Sequence, residues 1–184
     1  YPGSLVRSIL ADVKLSVFQT SGRELKSGDR VHFNYGSAQA IAKAVLLDAE
    51  RIGPGESAYA QLRFDEPIVL KRDDRFIIRF LSPVETFGGG IVLDAAPVRH
   101  KRGESQALEA LKVKERGTEP EVLELMVRET SRQFPPGSRL ATAMNLSRVR
   151  AEYLIEKLRA ARRILILADG SVIHMDYWNE IAAF

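Results

Sequence analysis

Ala58-Tyr59-Ala60-Gln61-Leu62-Arg63-Phe64 and Arg75-Phe76-Ile77-Ile78-Arg79-Phe80 decide the fold of the first hundred residues. In the first stretch Ala58, Ala60, Leu62 and Phe64 fall on one side, and Tyr59, Gln61 and Arg63 on the other. In the second, Phe76, Ile78 and Phe80 alternate with Arg75, Ile77 and Arg79. A strand turns successive side chains to opposite faces, so a two-residue period predicts strands with one face on a core. Turn signals recur at Gly28-Asp29, Tyr35-Gly36-Ser37, Gly53-Pro54-Gly55 and Lys71-Arg72-Asp73-Asp74, and the series ends at Gly88-Gly89-Gly90. About six strands joined by short turns, with no convincing helix between them, predict a closed antiparallel barrel or a sandwich. Closure would remove the exposed strand edges.

The pattern changes near His100-Lys101-Arg102-Gly103. From Glu104 to Arg116 the spacing is helical, with Ala107, Leu108 and Leu111 on one side and Gly117 as a stop. Thr118 and Glu121 form a capping-box pattern with Pro120 in the first turn, which predicts a second helix burying Val122, Leu125 and Met126. Phe134-Pro135-Pro136-Gly137 breaks it. A short helix is expected from Ser138 to about Met144, then a tight turn at Asn145-Leu146-Ser147 with Ser147 capping a third helix. There Ala151, Ile155 and Leu158 make a core stripe, and Arg150, Tyr153 and Lys157 lie opposite. Ile164–Ala168 and Ser171–Met175 flank Asp169-Gly170, which predicts a hairpin with a type I′ turn. These are the parts of a winged helix. The division expected is an all-β antiparallel six-stranded barrel over 1–100, a linker helix over 101–117 and an α+β winged-helix domain over 118–184.

Composition narrows the chemistry. The 184 residues suffice for two small domains with separate cores. There is no cysteine, which removes disulfides, thiolate zinc sites and cysteine nucleophiles. No apolar run reaches the length of about 20 residues that spans a bilayer. Tyr1 to Ala11 lacks the charged region and cleavage site of a signal peptide, and the absent initiator Met leads us to expect a fragment or processed product. No phosphate loop of the form G-x-x-x-x-G-K-S/T occurs, and Gly88–Gly90 suits a tight crossing in a barrel strand better than phosphate binding. His32, His100 and His174 match no metal spacing, so no metal site is expected. The carboxylate pairs Asp65-Glu66 and Asp73-Asp74 lie beside turns and read as solvated, so no catalytic residue is expected.

Net charge is only +3, but Arg148, Arg150, Lys157, Arg159, Arg162 and Arg163 lie in one short stretch opposed by Glu152 and Glu156. Arginines can grip phosphate bidentately and Tyr153 could stack, so Arg148, Arg150, Tyr153 and Lys157 are the candidate nucleic-acid face of the winged helix. A charged solvated helix face fits the same residues equally well.

A family resemblance enters with Arg30-Val31-His32-Phe33-Asn34-Tyr35-Gly36-Ser37, Ala42-Lys43-Ala44-Val45-Leu46-Leu47-Asp48, Gly53-Pro54-Gly55-Glu56, Ala60-Gln61-Leu62-Arg63 and Glu66-Pro67. It continues through Asp74-Arg75-Phe76-Ile77-Ile78-Arg79 to Ser82-Pro83-Val84-Glu85-Thr86-Phe87-Gly88-Gly89-Gly90-Ile91-Val92-Leu93-Asp94, its most specific part. In order and spacing the first hundred residues resemble the third domain of selenocysteine-specific elongation factors and, more distantly, that of elongation factor Tu. The family often has His-Gly-Thr where this chain has Tyr35-Gly36-Ser37. The winged helix fits the family by its order after the barrel. The resemblance implies a cytoplasmic parent factor that binds GTP and Mg in another domain and carries selenocysteinyl-tRNA to the ribosome at a recoded UGA. It implies that the barrel packs on the parent's own GTPase domain and meets the acceptor and T arms of the tRNA. It also implies that later winged helices, rather than Arg148 or Arg150, grip the mRNA hairpin. By motif position the barrel's RNA-binding candidates are Gln39, Lys43 and the loop with Ser82, Glu85 and Thr86; no cofactor is implied within these residues. A DNA-binding regulator with a barrel effector domain, and a protein–protein adaptor, are the other function classes that the elements would serve.

Overall fold

A computed structural model describes residues 7–183; residues 1–6 and 184, which the expected domain bounds include, lie outside it. Two compact units divide after Leu111.

The first unit contains β1 (Arg7–Val17), β2 (Leu25–Lys26), β3 (Arg30–Tyr35), β4 (Ala38–Leu46), β5 (Arg51–Ile52), β6 (Ser57–Val69), β7 (Arg75–Phe80) and β8 (Thr86–Asp94). Six of them close an antiparallel barrel in the order β1-β6-β4-β3-β7-β8, while β2 and β5 form a small separate ribbon. The alternation read in the sequence sets the inside: Ala58, Ala60, Leu62, Phe64, Phe76, Ile78 and Phe80 are all buried. Phe33 lies at the centre, with ring centroids 5.0 Å from Phe64 and 4.7 Å from Phe76. Such aromatic pairs add about 0.5–1.5 kcal/mol each beyond their burial. The three glycines of β8 follow from strand proximity, because a Cβ on Gly89 would stand 2.5 Å from the Phe76 carbonyl oxygen.

The outer face of β6 is not solvated as its polar residues suggest, since Tyr59 and Gln61 are buried there. After β8 the chain folds back across the barrel. It then enters α1 (Ser105–Arg116), whose Leu108 and Leu111 pack with Leu47, Tyr59 and Leu93. The unit boundary falls within α1.

The second unit contains α2 (Glu119–Thr130), a 3-10 turn (Ser131–Gln133), α3 (Gly137–Ala143), α4 (Arg148–Ala160), β9 (Ile164–Ile166), β10 (Val172–His174) and α5 (Met175–Ala182). The Glu121 carboxylate accepts the Thr118 N–H at 2.7 Å, which starts α2. Asn145 takes a left-handed φ of 54°, ending α3, and the Ser147 hydroxyl accepts the Arg150 N–H to start α4. The core joins Val122, Leu123, Met126 and Val127 to Leu140, Leu154, Ile155, Leu158, Ile164 and Val172. Leu125 is half-buried instead, because Leu123 and Val127 turn the buried stripe of α2 away from it. Pro136 bridges Ser171, and the Val172 N–H donates to the Pro135 carbonyl, which adds a third short edge to the β9–β10 wing.

Two expectations need correction here. The wing turn is not type I′, because Asp169, the first of the two expected central residues, lacks the positive φ that this turn requires. Gly170 alone does, at 81°, and its N–H donates to the Leu167 carbonyl while the Leu167 N–H donates to Ser171. That is the three-residue hairpin with a left-handed bulge residue. The second wing strand also stops at His174, because the His174 side chain accepts the Asp176 N–H and caps α5, a helix absent from the sequence reading.

Candidate nucleic-acid interface

Strand register decides which barrel candidates share a surface. On β4 the odd-numbered positions point outward, so Gln39 and Lys43 share the outer face with Ile41 between them; both are exposed. Opposite Gln39 stands Asn34, opposite Lys43 stands Arg30, and His32 pairs with Ile41. His32 faces Arg79 on β7, and Arg79 faces Thr86 on β8. Thus Gln39, His32, Arg79 and Thr86 belong to one continuous polar surface. The Gln39 amide N–H donates to His32 Nδ1 at 2.7 Å. Two buried atoms on this surface, Asn34 Oδ1 and Arg79 Nε, have no hydrogen-bond partner among the described residues.

The loop with Ser82 and Glu85 joins β7 to β8, closed by the Phe80 N–H donating to the Glu85 carbonyl at 3.0 Å. Because Val31 pairs with Phe80, this loop lies at the same end of the barrel as Arg30 and Lys43. Gln39, beside the turn at Gly36-Ser37, lies toward the other end. Lys43 and the loop are separated by two strand spacings, about 10 Å. The sequence candidates therefore form one face with two poles.

Several residues of the surface carried no sequence signal. Asp12 is fully buried, and its carboxylate meets His100 Nε2 at 2.8 Å and accepts from Gln61 Nε2 at 3.0 Å. Burial pushes the Asp12 pKa up, against the lowering influence of His100 and Gln61. Gln61 also donates to the Val98 carbonyl, and an Arg63 Nη donates to the His100 carbonyl at 3.0 Å. This network clasps the exit segment after β8 to β1 and β6. Only residues far apart in sequence make it, so no local spacing could have flagged it.

In the second unit, Arg148, Arg150, Tyr153 and Lys157 are exposed on α4. Their charges are largely answered in place. Arg148 Nε donates to Glu152 at 2.6 Å, and Arg150 donates twice to Glu119 Oε2, at 2.8 and 2.6 Å. The Arg150 guanidinium also lies 5.4 Å from the Tyr153 ring centre. Arg159 pairs with Glu156, and Arg163 with Glu124. Among the described residues no group of His, Asp and Glu could hold a metal ion. Among the described residues no helix is long and apolar enough to cross a membrane.

Residues 12–99 match the family described as selenocysteine-specific elongation factor, beta-barrel domain. The chain is also similar to the selenocysteine-specific elongation factor of Desulfomicrobium baculatum, 34% identical over 133 residues, which are 72% of this chain and 21% of that protein. It thus spans about a fifth of the length of the relative it matches. Through its barrel the chain belongs to the family of selenocysteine-specific elongation factors.

Proposed function

We propose that this chain is the tRNA-contacting barrel and first winged helix of a GTP-dependent factor that delivers selenocysteinyl-tRNA to the ribosome at recoded UGA codons. GTP and its Mg are held elsewhere in the parent, and the parent works in the cytoplasm. The barrel's outer face receives the acceptor and T arms through Lys43, Gln39 and the loop carrying Ser82, Glu85 and Thr86. The observation that carries this reading is the family match over the barrel together with Lys43, an exposed cation on that face with no carboxylate partner among the described residues. An RNA helix is recognised by shape and by phosphate and 2′-OH contacts, so polar groups on a rigid barrel serve without a large basic patch. The winged helix is a spacer in this reading: Arg148, Arg150, Arg159 and Arg163 around α4 are already paired with carboxylates, which also disfavours a DNA-reading regulator.

The test is Lys43→Ala in the parent factor, with tRNA binding measured by filter retention at several salt concentrations. A phosphate contact carries no base information, so affinity should fall by about 0.5–2 kcal/mol. The slope of log affinity against log salt should fall by about 0.7–0.9, the release of one counterion. GTP affinity should stay unchanged. Loss of affinity with an unaltered slope would place Lys43 in barrel packing, and no change at all would remove it from the interface.

A further inference from the structure

The outer face of β3, β4 and β6 carries a row of like charges. Arg30 stands opposite Lys43 across the β3–β4 ladder, and Lys43 stands opposite Arg63 across the β4–β6 ladder. Side chains so opposed have Cβ atoms about 5 Å apart, and like charges there destabilise a sheet. One member is neutralised, because Arg30 pairs with Asp65. Arg63 has no such partner among the described residues. Its Nε donates to Gln61 Oε1 at 3.4 Å and its Nη to the His100 carbonyl at 3.0 Å, so neutral acceptors orient the guanidinium without cancelling its charge. Burial, and then repulsion from Arg99, depress the Arg63 pKa below the ordinary arginine value. Arg99 itself is exposed, on the exit segment beside His100. The buried carboxylate of Asp12 turns to His100 and Gln61 instead.

This partly buried, oriented guanidinium helps hold the exit segment through neutral acceptors, yet, flanked by two further cations, it has no counter-charge among the described residues. It is a preformed half of a charge-assisted contact. We propose that Arg63 and Arg99, together with Lys43, form a binding site for a backbone phosphate of RNA. The site rests on the RNA-binding reading above and adds two residues that neither sequence pattern nor family match assigns. It also draws the exit segment into the interface, since Arg99 comes from it and Arg63 is tied to it. A guanidinium fork suits phosphate geometry. The same face continues into His32, Asn34 and Gln39, short polar groups suited to 2′-OH contacts.

The experiment titrates this chain against a fluorescent short RNA hairpin, between about 50 and 200 mM salt. Arg99→Gln should weaken binding about fivefold to tenfold and lower the salt slope by about 0.7–0.9. Arg63→Gln should do at least as much. Arg30→Gln should change neither, because Asp65 already answers its charge. If Arg63→Gln fails to fold, Arg99→Gln carries the test, as Arg99 has no hydrogen bond or ion pair among the described residues to lose. Wild-type affinity in both Arg63 and Arg99 variants, or an equal loss in Arg30→Gln, overturns the site while RNA binding by the barrel stands. A wild-type chain that ignores the hairpin overturns both. Variants that keep RNA affinity but lower the melting temperature of the parent factor would show that carboxylates elsewhere in the parent fill the row, which also overturns it.

Discussion

Gly90→Ala tests the reason for the glycine run in β8. Gly90 pairs with Leu15 on one side and Phe76 on the other, so its missing side chain faces the barrel interior between two strands. An added Cβ would clash with the Lys14 carbonyl oxygen and stand 3.1 Å from the Lys14 carbonyl carbon. It would also stand 2.8 Å from Phe76 Cζ. The first neighbour is backbone inside the β1–β8 ladder, and the second is a ring fixed against Phe33. Neither can yield as the end of a flexible side chain would. Overpacking of this kind costs about 1–3 kcal/mol, and two rigid neighbours place Gly90→Ala near 3 kcal/mol. At about 4–8 °C per kcal/mol for a domain of this size, the barrel should melt roughly 12–24 °C lower. Far-UV circular dichroism follows strands and helices together, so the barrel is read as the part of that transition that does not coincide with fluorescence of the single tryptophan, Trp178 on α5, which reads the second unit. Gly22→Ala is the control: nothing lies within 4 Å of its Cβ and its φ is not positive, so little should change. A Gly90→Ala shift below about 4 °C would refute the packing argument and return the glycines to the list of ligand-contact candidates.

Two further outcomes are expected. The Glu124 carboxylate accepts from Arg163 at 2.9 and 2.5 Å, and Arg163 first, then His174, hold its pKa below 4.5. A depressed carboxylate contributes stability above its unfolded pKa and loses it as pH falls through the folded value. Glu124→Gln should therefore cost about 1–2 kcal/mol at neutral pH, a cost that shrinks as pH falls below the ordinary glutamate range, measured by urea unfolding with Trp178 fluorescence. A difference that persists unchanged in acid would refute the ion-pair account. The triple replacement of Arg148, Arg150 and Lys157 by Glu should leave the parent factor's affinity for the selenoprotein mRNA hairpin nearly intact, whereas a tenfold loss, about 1.4 kcal/mol, would make this module part of the mRNA site.

The barrel was legible because its signals are local. Alternation in β6 and β7 needs only neighbouring residues, and the interior took the side that the pattern assigned. The winged helix was legible for the same reason at Thr118, Ser147 and the α4 stripe. Failures came where tertiary contacts overrode a local rule. Tyr59 and Gln61 alternate with the core stripe and fall on the opposite face, yet α1 and the exit segment cover them. Asp-Gly signals a two-residue turn, but the Ser171 N–H and hydroxyl both donate to the Asp169 carboxylate. That favours the longer loop, with positive φ only at Gly170. α5 went unseen because its cap is a histidine, outside the usual capping residues.

The candidate site was harder to read because charge in a sequence says nothing about who answers it. By count, the arginine-rich stretch around α4 is the most basic part of the chain, and it drew attention for that reason. In the fold Arg148, Arg150, Arg159 and Arg163 meet Glu152, Glu119, Glu156 and Glu124, so exposing these four to a polyanion would first require breaking those pairs, and only Lys157 and Arg162 of the stretch have no carboxylate partner among the described residues. The barrel face looks weaker on paper, with its cations scattered over residues 30, 43, 63 and 99. Strand pairing gathers Arg30, Lys43 and Arg63 into one row, the exit segment adds Arg99, and Asp65 answers only Arg30. Affinity for phosphate follows the charge left unanswered at a fixed geometry, because only that charge can release counterions without losing an internal partner. By that criterion the proposed RNA contact falls on the barrel rather than on the winged helix, although residue counts alone rank them the other way.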